Sequence, residues 1–127
     1  MLPVGSTFLI PTPPFFEIQH LYILIAAEKK TNKGLIVNFT TSKDGCDKSC
    51  VVMPGEHSFL KHESVINYAD SKIASISTIE EALSKGVIKP HTPVSPELLK
   101  RIRESGLKSP AIPLKCLNFL SSIYGNL

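Results

Sequence analysis

The sequence predicts a mainly β, α+β domain: a small, strongly twisted antiparallel barrel of about five strands, followed by two or three short helices. Three observations lead there. Short β-branched and aromatic runs fill the first two thirds of the chain, separated by turns rich in Gly, Pro and Asn. The helix start signals Thr78-Ile79-Glu80-Glu81, Ser95-Pro96 and Pro113 all fall in the last third. A length of 127 residues, with 43% hydrophobic and 20% charged side chains, suits one domain, 1–127, that buries a real core.

Thr7-Phe8-Leu9-Ile10 is the first strand, ended by the breaker-rich Pro11-Thr12-Pro13-Pro14-Phe15-Phe16. Leu21-Tyr22-Ile23-Leu24-Ile25 is apolar without alternation, the mark of a central strand buried on both faces. Lys29 to Gly34 is a polar turn, with Asn32 and Gly34 as the residues suited to positive φ. Leu35 to Thr40 follows as the hairpin partner. Ser49 to Met53 is a fourth strand, closed by the Pro54-Gly55 turn, and Val65-Ile66-Asn67-Tyr68 is a fifth. In Thr78-Ile79-Glu80-Glu81 the hydroxyl and the carboxylate form a capping box that opens a helix, which Gly86 closes. Ser95 caps a second helix with Pro96 at its first position; Leu98, Leu99 and Ile102 form its apolar face, and Gly106 stops it. Lys100, Arg101 and Arg103 lie late in this helix, where cations suit the dipole. Pro113 starts a third, with Leu114, Leu117, Leu120 and Ile123/Tyr124 at helical spacing, ended by Gly125. That stripe either covers the barrel or faces a second copy of the chain.

Composition and motifs exclude much. The chain is too short for a TIM barrel, and its longest apolar run, Leu21 to Ala27, is too short to cross a bilayer. Met1 to Gly5 carry no basic n-region, so no signal peptide is expected, and three cysteines argue against a secreted disulfide framework. A cytoplasmic domain is expected. The net charge of +3 arises wholly after residue 76, where seven Lys and Arg face Glu80, Glu81, Glu97 and Glu104. That balance permits a nucleic-acid partner without demanding one. There is no phosphate-cradling glycine loop, no G-x-S-x-G elbow and no H-E-x-x-H.

The densest polar cluster is Gly55-Glu56-His57-Ser58-Phe59-Leu60-Lys61-His62-Glu63-Ser64. Histidine is the side chain suited to proton transfer near neutral pH, so a loop with two of them suits acid–base work. The plainer reading is a hairpin loop whose imidazoles cap backbone groups. His20 opens the most apolar strand and so belongs at a rim, where the plainer reading is again a hydrogen-bonded structural residue. Cys46, Cys50, His57 and His62 can be written as a zinc quartet, but a strand separates the cysteines from the histidines. Cys116 reads as core of the last helix, and Asn38-Phe39-Thr40 is formally a glycosylation sequon.

The order of elements resembles the toxins of the PemK/MazF type. Phe39-Thr40-Thr41-Ser42 is similar to the strand end carrying that family's Thr pair, and Ser49-Cys50-Val51-Val52 to the short strand after it. Tyr68-Ala69-Asp70-Ser71-Lys72-Ile73 is similar to its Ala-Asp segment. Lys85-Gly86-Val87 and Val94-Ser95-Pro96-Glu97-Leu98-Leu99 resemble its glycine turn and proline-started helix. The resemblance spans roughly residues 5–106 and implies an SH3-like barrel in a homodimeric cytoplasmic toxin. It also implies a metal-independent endoribonuclease of single-stranded RNA, with no cofactor, neutralised by an antitoxin protein. Thr40 matches the family's functional threonine. The position of its arginine falls at or near His20; the only arginines here are Arg101 and Arg103. The composite site expected from residues and resemblance together has His20, Thr40, His57 and His62 as catalytic groups and Lys61, Lys72 and Thr41 as RNA contacts. It would cleave RNA to a 2′,3′-cyclic phosphate. The alternative is a non-catalytic barrel that binds nucleic acid or a protein partner.

Overall fold

The computed structural model describes residues 2–11 and 19–125; of the breaker-rich segment, residues 12–16 lie outside this range. Its elements run β1 (Thr7–Pro11), β2 (Gln19–Glu28), β3 (Lys33–Thr41), β4 (Val51–Val52), β5 (Ser64–Ile66), β6 (Lys72–Ser75), α1 (Ile76–Ser84), β7 (Lys89–His91), α2 (Pro96–Gly106) and α3 (Leu114–Tyr124). All strand pairs are antiparallel. The seven strands form an open sheet in the order β4-β5-β3-β2-β1-β7, with β6 also paired to β3. The class is α+β, with three helices. No helix among the described residues is long and apolar enough to cross a membrane.

Two strands exceed the expected five, and both are short and polar. Lys72–Ser75 pairs along Lys33 to Ile36, and Lys89–His91 pairs along Thr7 to Leu9. Pro90 is tolerated in β7 because that strand ends the sheet. The expected strand Val65–Tyr68 is only Ser64–Ile66 and then tightens into a 3₁₀ turn, Tyr68–Asp70. β2 is flanked on both edges and covered on both faces. Leu21, Ile23 and Ile25 enter the core under α2 and α3, while Tyr22 and Leu24 join Phe8, Ile36 and Ile79 under α1. That accounts for its unbroken apolar run. The β2–β3 register shifts between Leu24 and Ala26, a bulge that sharpens the twist.

Three expected local signals act differently. α1 is capped by Ser75, whose Oγ accepts from the Thr78 amide at 3.3 Å, so Thr78 lies inside the first turn. β6 runs straight into this helix, which brings the start forward. In the β2–β3 turn the left-handed residue is Asn32 (φ 57°), whereas Gly34 is strand. Gly34 is needed for space, since a Cβ there would lie 2.5 Å from Leu24 Cδ1. Gly106 does not stop α2. It is the last helical residue and is packed so closely that a Cβ would lie 3.0 Å from Leu120 Cδ2 and 3.1 Å from Tyr68 Cε1.

Ser95 does cap α2, accepting from the Leu98 amide at 3.1 Å, with Pro96 at its first turn. On α3, Cys116 and Leu120 are buried and Leu117, Ile123 and Tyr124 pack against the same core; Leu114 alone of the stripe is left exposed. The helix therefore covers its own sheet.

Candidate functional site

β2 and β3 reach one end of the sheet together, and the segment between β4 and β5 folds over that end. Between them lies an open cleft of about 310 Å³. β2 contributes Gln19, His20 and Leu21, β3 contributes Phe39, Thr40 and Thr41, and the β4–β5 segment contributes Phe59, Leu60, Lys61 and His62, with Ser64 of β5 beside them. The walls are mixed: Leu21, Phe39 and Leu60 also belong to the core, whereas Lys61 and His62 are exposed. Strand alternation sorts the rest. Gln19 and Thr41 share the face of Leu21 and Phe39, while His20 and Thr40 share the opposite face with Tyr22 and Asn38.

Five of the residues expected from the sequence, His20, Thr40, Thr41, Lys61 and His62, border this cleft at the strand ends, Thr41 from the face of its apolar floor and His20 and Thr40 from the opposite face. Among the described residues their side-chain polar atoms make no hydrogen bond or ion pair. Donors and acceptors left open beside an apolar floor are what a ligand site requires.

His57 and Lys72 are not brought to this cleft. His57 is buried, 6% exposed, and both ring nitrogens are engaged. Its Nε2–H donates to the Thr92 carbonyl at 2.7 Å, and Nδ1 accepts the Phe59 amide at 3.1 Å. A carbonyl only accepts and an amide only donates, so the hydrogen bonds define the tautomer. The ring sits between those of Phe39 and His91, at centroid distances of 6.1 and 5.5 Å, directly behind the cleft wall. Of the two readings of the histidine loop, backbone capping describes His57, and an open imidazole describes His62.

Lys72 belongs to a second polar group, on the face shared by His20 and Thr40. Its Nζ donates to the Tyr22 hydroxyl at 3.3 Å and lies 3.7 Å from Asp70. The Tyr22 hydroxyl and Asn38 Nδ2 both donate to Asp70 Oδ2, at 3.1 and 3.3 Å. Burial pushes the Tyr22 phenol up. Burial works against the Lys72 ammonium, but the Tyr22 hydroxyl and Asp70 outweigh it and hold its pKa above the ordinary lysine value. Asn38 is buried, and its Oδ1 accepts no hydrogen bond from a described residue.

Both arginines are bound elsewhere. Arg101 forks onto Glu56, with Nη1 and Nη2 at 2.8 and 2.9 Å from its two oxygens, and Nη2 also donates to the Val51 carbonyl. Arg103 Nε donates to the Ile25 carbonyl at 2.8 Å, and its guanidinium lies 3.9 Å from the centre of the Tyr124 ring. Cys46, Cys50, His57 and His62 do not assemble: the described residues hold no group of three or more His, Cys, Asp or Glu placed to bind an ion.

Sequence reasoning missed Phe59, Gln19 and Ser64 as cleft residues, and His91 behind them. Phe59 did carry a signal, as the one phenyl ring in a largely polar loop. His91 carried none, because it meets His57 and Phe59 only through the pairing of β7 with β1. No protein-family model matches the chain, and no curated protein matches it.

Proposed function

We propose that this chain is a PemK/MazF-type endoribonuclease acting on single-stranded RNA, a growth inhibitor held in check by a cognate antitoxin protein. One observation carries the reading: the open cleft bordered by His20, Thr40, Thr41, Lys61 and His62, with none of their side-chain polar atoms engaged among the described residues. The twisted β2–β3 pair, its bulge, and the sharing of β3 among β2, β5 and β6 support an SH3-like barrel as the scaffold. The resemblance in order of elements supplies the metal independence, the homodimer and the cytoplasmic setting.

In this reaction a ribose 2′-hydroxyl attacks the adjacent phosphorus, a base takes its proton, and an acid protonates the departing 5′-oxygen. The products are a 2′,3′-cyclic phosphate and a 5′-hydroxyl. His20 and His62 share the base and acid roles. Thr40 donates to a phosphoryl oxygen and Lys61 balances the charge that builds on it. His57 acts as a positioning residue through the Phe59 amide, and Lys72 adds positive charge from the neighbouring face. Induced expression should arrest growth and shorten cellular RNA, and His20→Ala or His62→Ala should relieve both. Normal growth with intact RNA would overturn the reading.

A specific observation favours a second reading. With Arg101 and Arg103 bonded away from the cleft, phosphate charge falls to Lys61, which lacks a planar fork. A barrel that binds nucleic acid or a protein partner without cutting would retain RNA in a gel-shift assay and leave its length unchanged.

A further inference from the structure

We infer that Phe59 is a nucleobase platform: the cleft seats one unpaired base of single-stranded RNA against its ring, with the attached phosphate at the Lys61–His62 rim. The inference rests on the ribonuclease reading and extends it by naming the residue that holds the base. Phe59 is a half-buried aromatic side chain, next to the buried Leu60 in a largely polar loop, and it lines the cleft. Its backbone is held from behind, where His57 Nδ1 accepts the Phe59 amide at 3.1 Å. Its ring meets that of His91 edge-on, at 5.6 Å with the planes 83° apart. A T-shaped contact leaves ring surface open, and the two histidines fix the ring before any ligand arrives. Rigid, pre-placed aromatic rings bind planar groups with little ordering cost.

Size and charge select the occupant. About 310 Å³ accommodates one nucleoside-sized group and not a run of stacked bases. Leu60 and Phe39 supply apolar walls for a base, the Thr41 hydroxyl lies at the edge, and Lys61 adds a cation for the phosphate that follows. A base within a duplex is hidden by its neighbours, so the same geometry selects unpaired RNA.

The test uses 2′-O-methyl RNA oligonucleotides, which lack the attacking hydroxyl and so report binding without cleavage. Fluorescence anisotropy would compare the wild-type chain, Phe59→Leu and Phe59→Trp on oligonucleotides carrying one abasic position at each site in turn. Phe59→Leu should weaken binding about tenfold and Phe59→Trp should restore it. One abasic position should cost the wild type a similar factor, and Phe59→Leu should add nothing further on that oligonucleotide. Equal losses on intact and abasic oligonucleotides, or no loss, would overturn the platform while leaving the ribonuclease reading intact. Should Phe59→Leu fail to fold, the abasic scan on the wild type decides: no single position costing more than about twofold would overturn the platform. A wild type that binds none of the oligonucleotides overturns both.

Discussion

His57 and His62 stand in the same short loop, yet one is sealed and the other open. Removing them should therefore have opposite consequences. His57→Ala leaves the Phe59 amide and the Thr92 carbonyl short of a partner, and urea denaturation should register a loss of about 1–3 kcal/mol. His62→Ala removes no side-chain hydrogen bond among the described residues and should stay within about 0.5 kcal/mol while abolishing RNA cleavage. Carboxylates set the acid limit. Hydrogen bonds from Arg101 hold Glu56 below the usual carboxylate range. For Asp47, burial acts upward, but hydrogen bonds from Ser109 and Ser49 outweigh it and hold the group low as well. Below the ordinary carboxylate pKa the folded chain thus binds fewer protons than the unfolded one. The stability these two groups lend is complete above about pH 5 and is lost as pH falls through their folded values. Glu56→Gln with Asp47→Asn should lower the neutral plateau of a stability–pH curve and flatten its acid limb; an unaltered acid limb would contradict this. Residue identity in sequence made His57 and His62 equivalent. Only the register of distant β7, which sets Thr92 and His91 behind the loop, separates them.

α2 and α3 meet at Gly106, where a methyl group has no room. Gly106→Ala should destabilise by about 1–3 kcal/mol despite alanine's better helix propensity, because Leu120 and Tyr68 are both fully buried and give way poorly. Leu120→Ala should cost about 2–5 kcal/mol, whereas Leu114→Lys, 70% exposed, should stay within about 0.5 kcal/mol. Thermal denaturation of the three variants checks the packing. If Leu114→Lys instead lowered the melting temperature in a concentration-dependent way, the exposed end of α3 would be an interface. At this scale the sequence was informative wherever a signal was local. Ser95-Pro96, the Gly86 turn (φ 74°) and the continuous run of β2 all lie where the residues point. It was silent for β6 and β7, because Lys-Ile-Ala-Ser and Lys-Pro-His become strands only by pairing with partners already in place. Gly34 and Gly106 were misread for a related reason: each answers to a side chain remote in sequence, not to its own backbone.

Across the whole molecule, an antiparallel sheet with helices on both faces carries a cleft bordered by open polar groups at one end, where β2 and β3 meet the β4–β5 segment. The class and the strand-then-helix order were legible, since they follow from alternation, turns and caps. The strand count and the open edge were not, because edge strands bury little and leave a faint pattern. Of the expected site, the part borne by β2 and β3 was legible because a hairpin brings its ends together; the loop's share required the tertiary fold. The net charge of +3 is modest, so RNA affinity should rest on the cleft more than on a general field. The most direct measurement is to incubate the purified chain with a defined single-stranded RNA in excess EDTA and read the ends of any fragments. Cleavage leaving 2′,3′-cyclic phosphate and 5′-hydroxyl ends, absent with His20→Ala and with His62→Ala, is the expected result. RNA left intact by folded wild-type protein, or cleavage that persists in both variants, would contradict it.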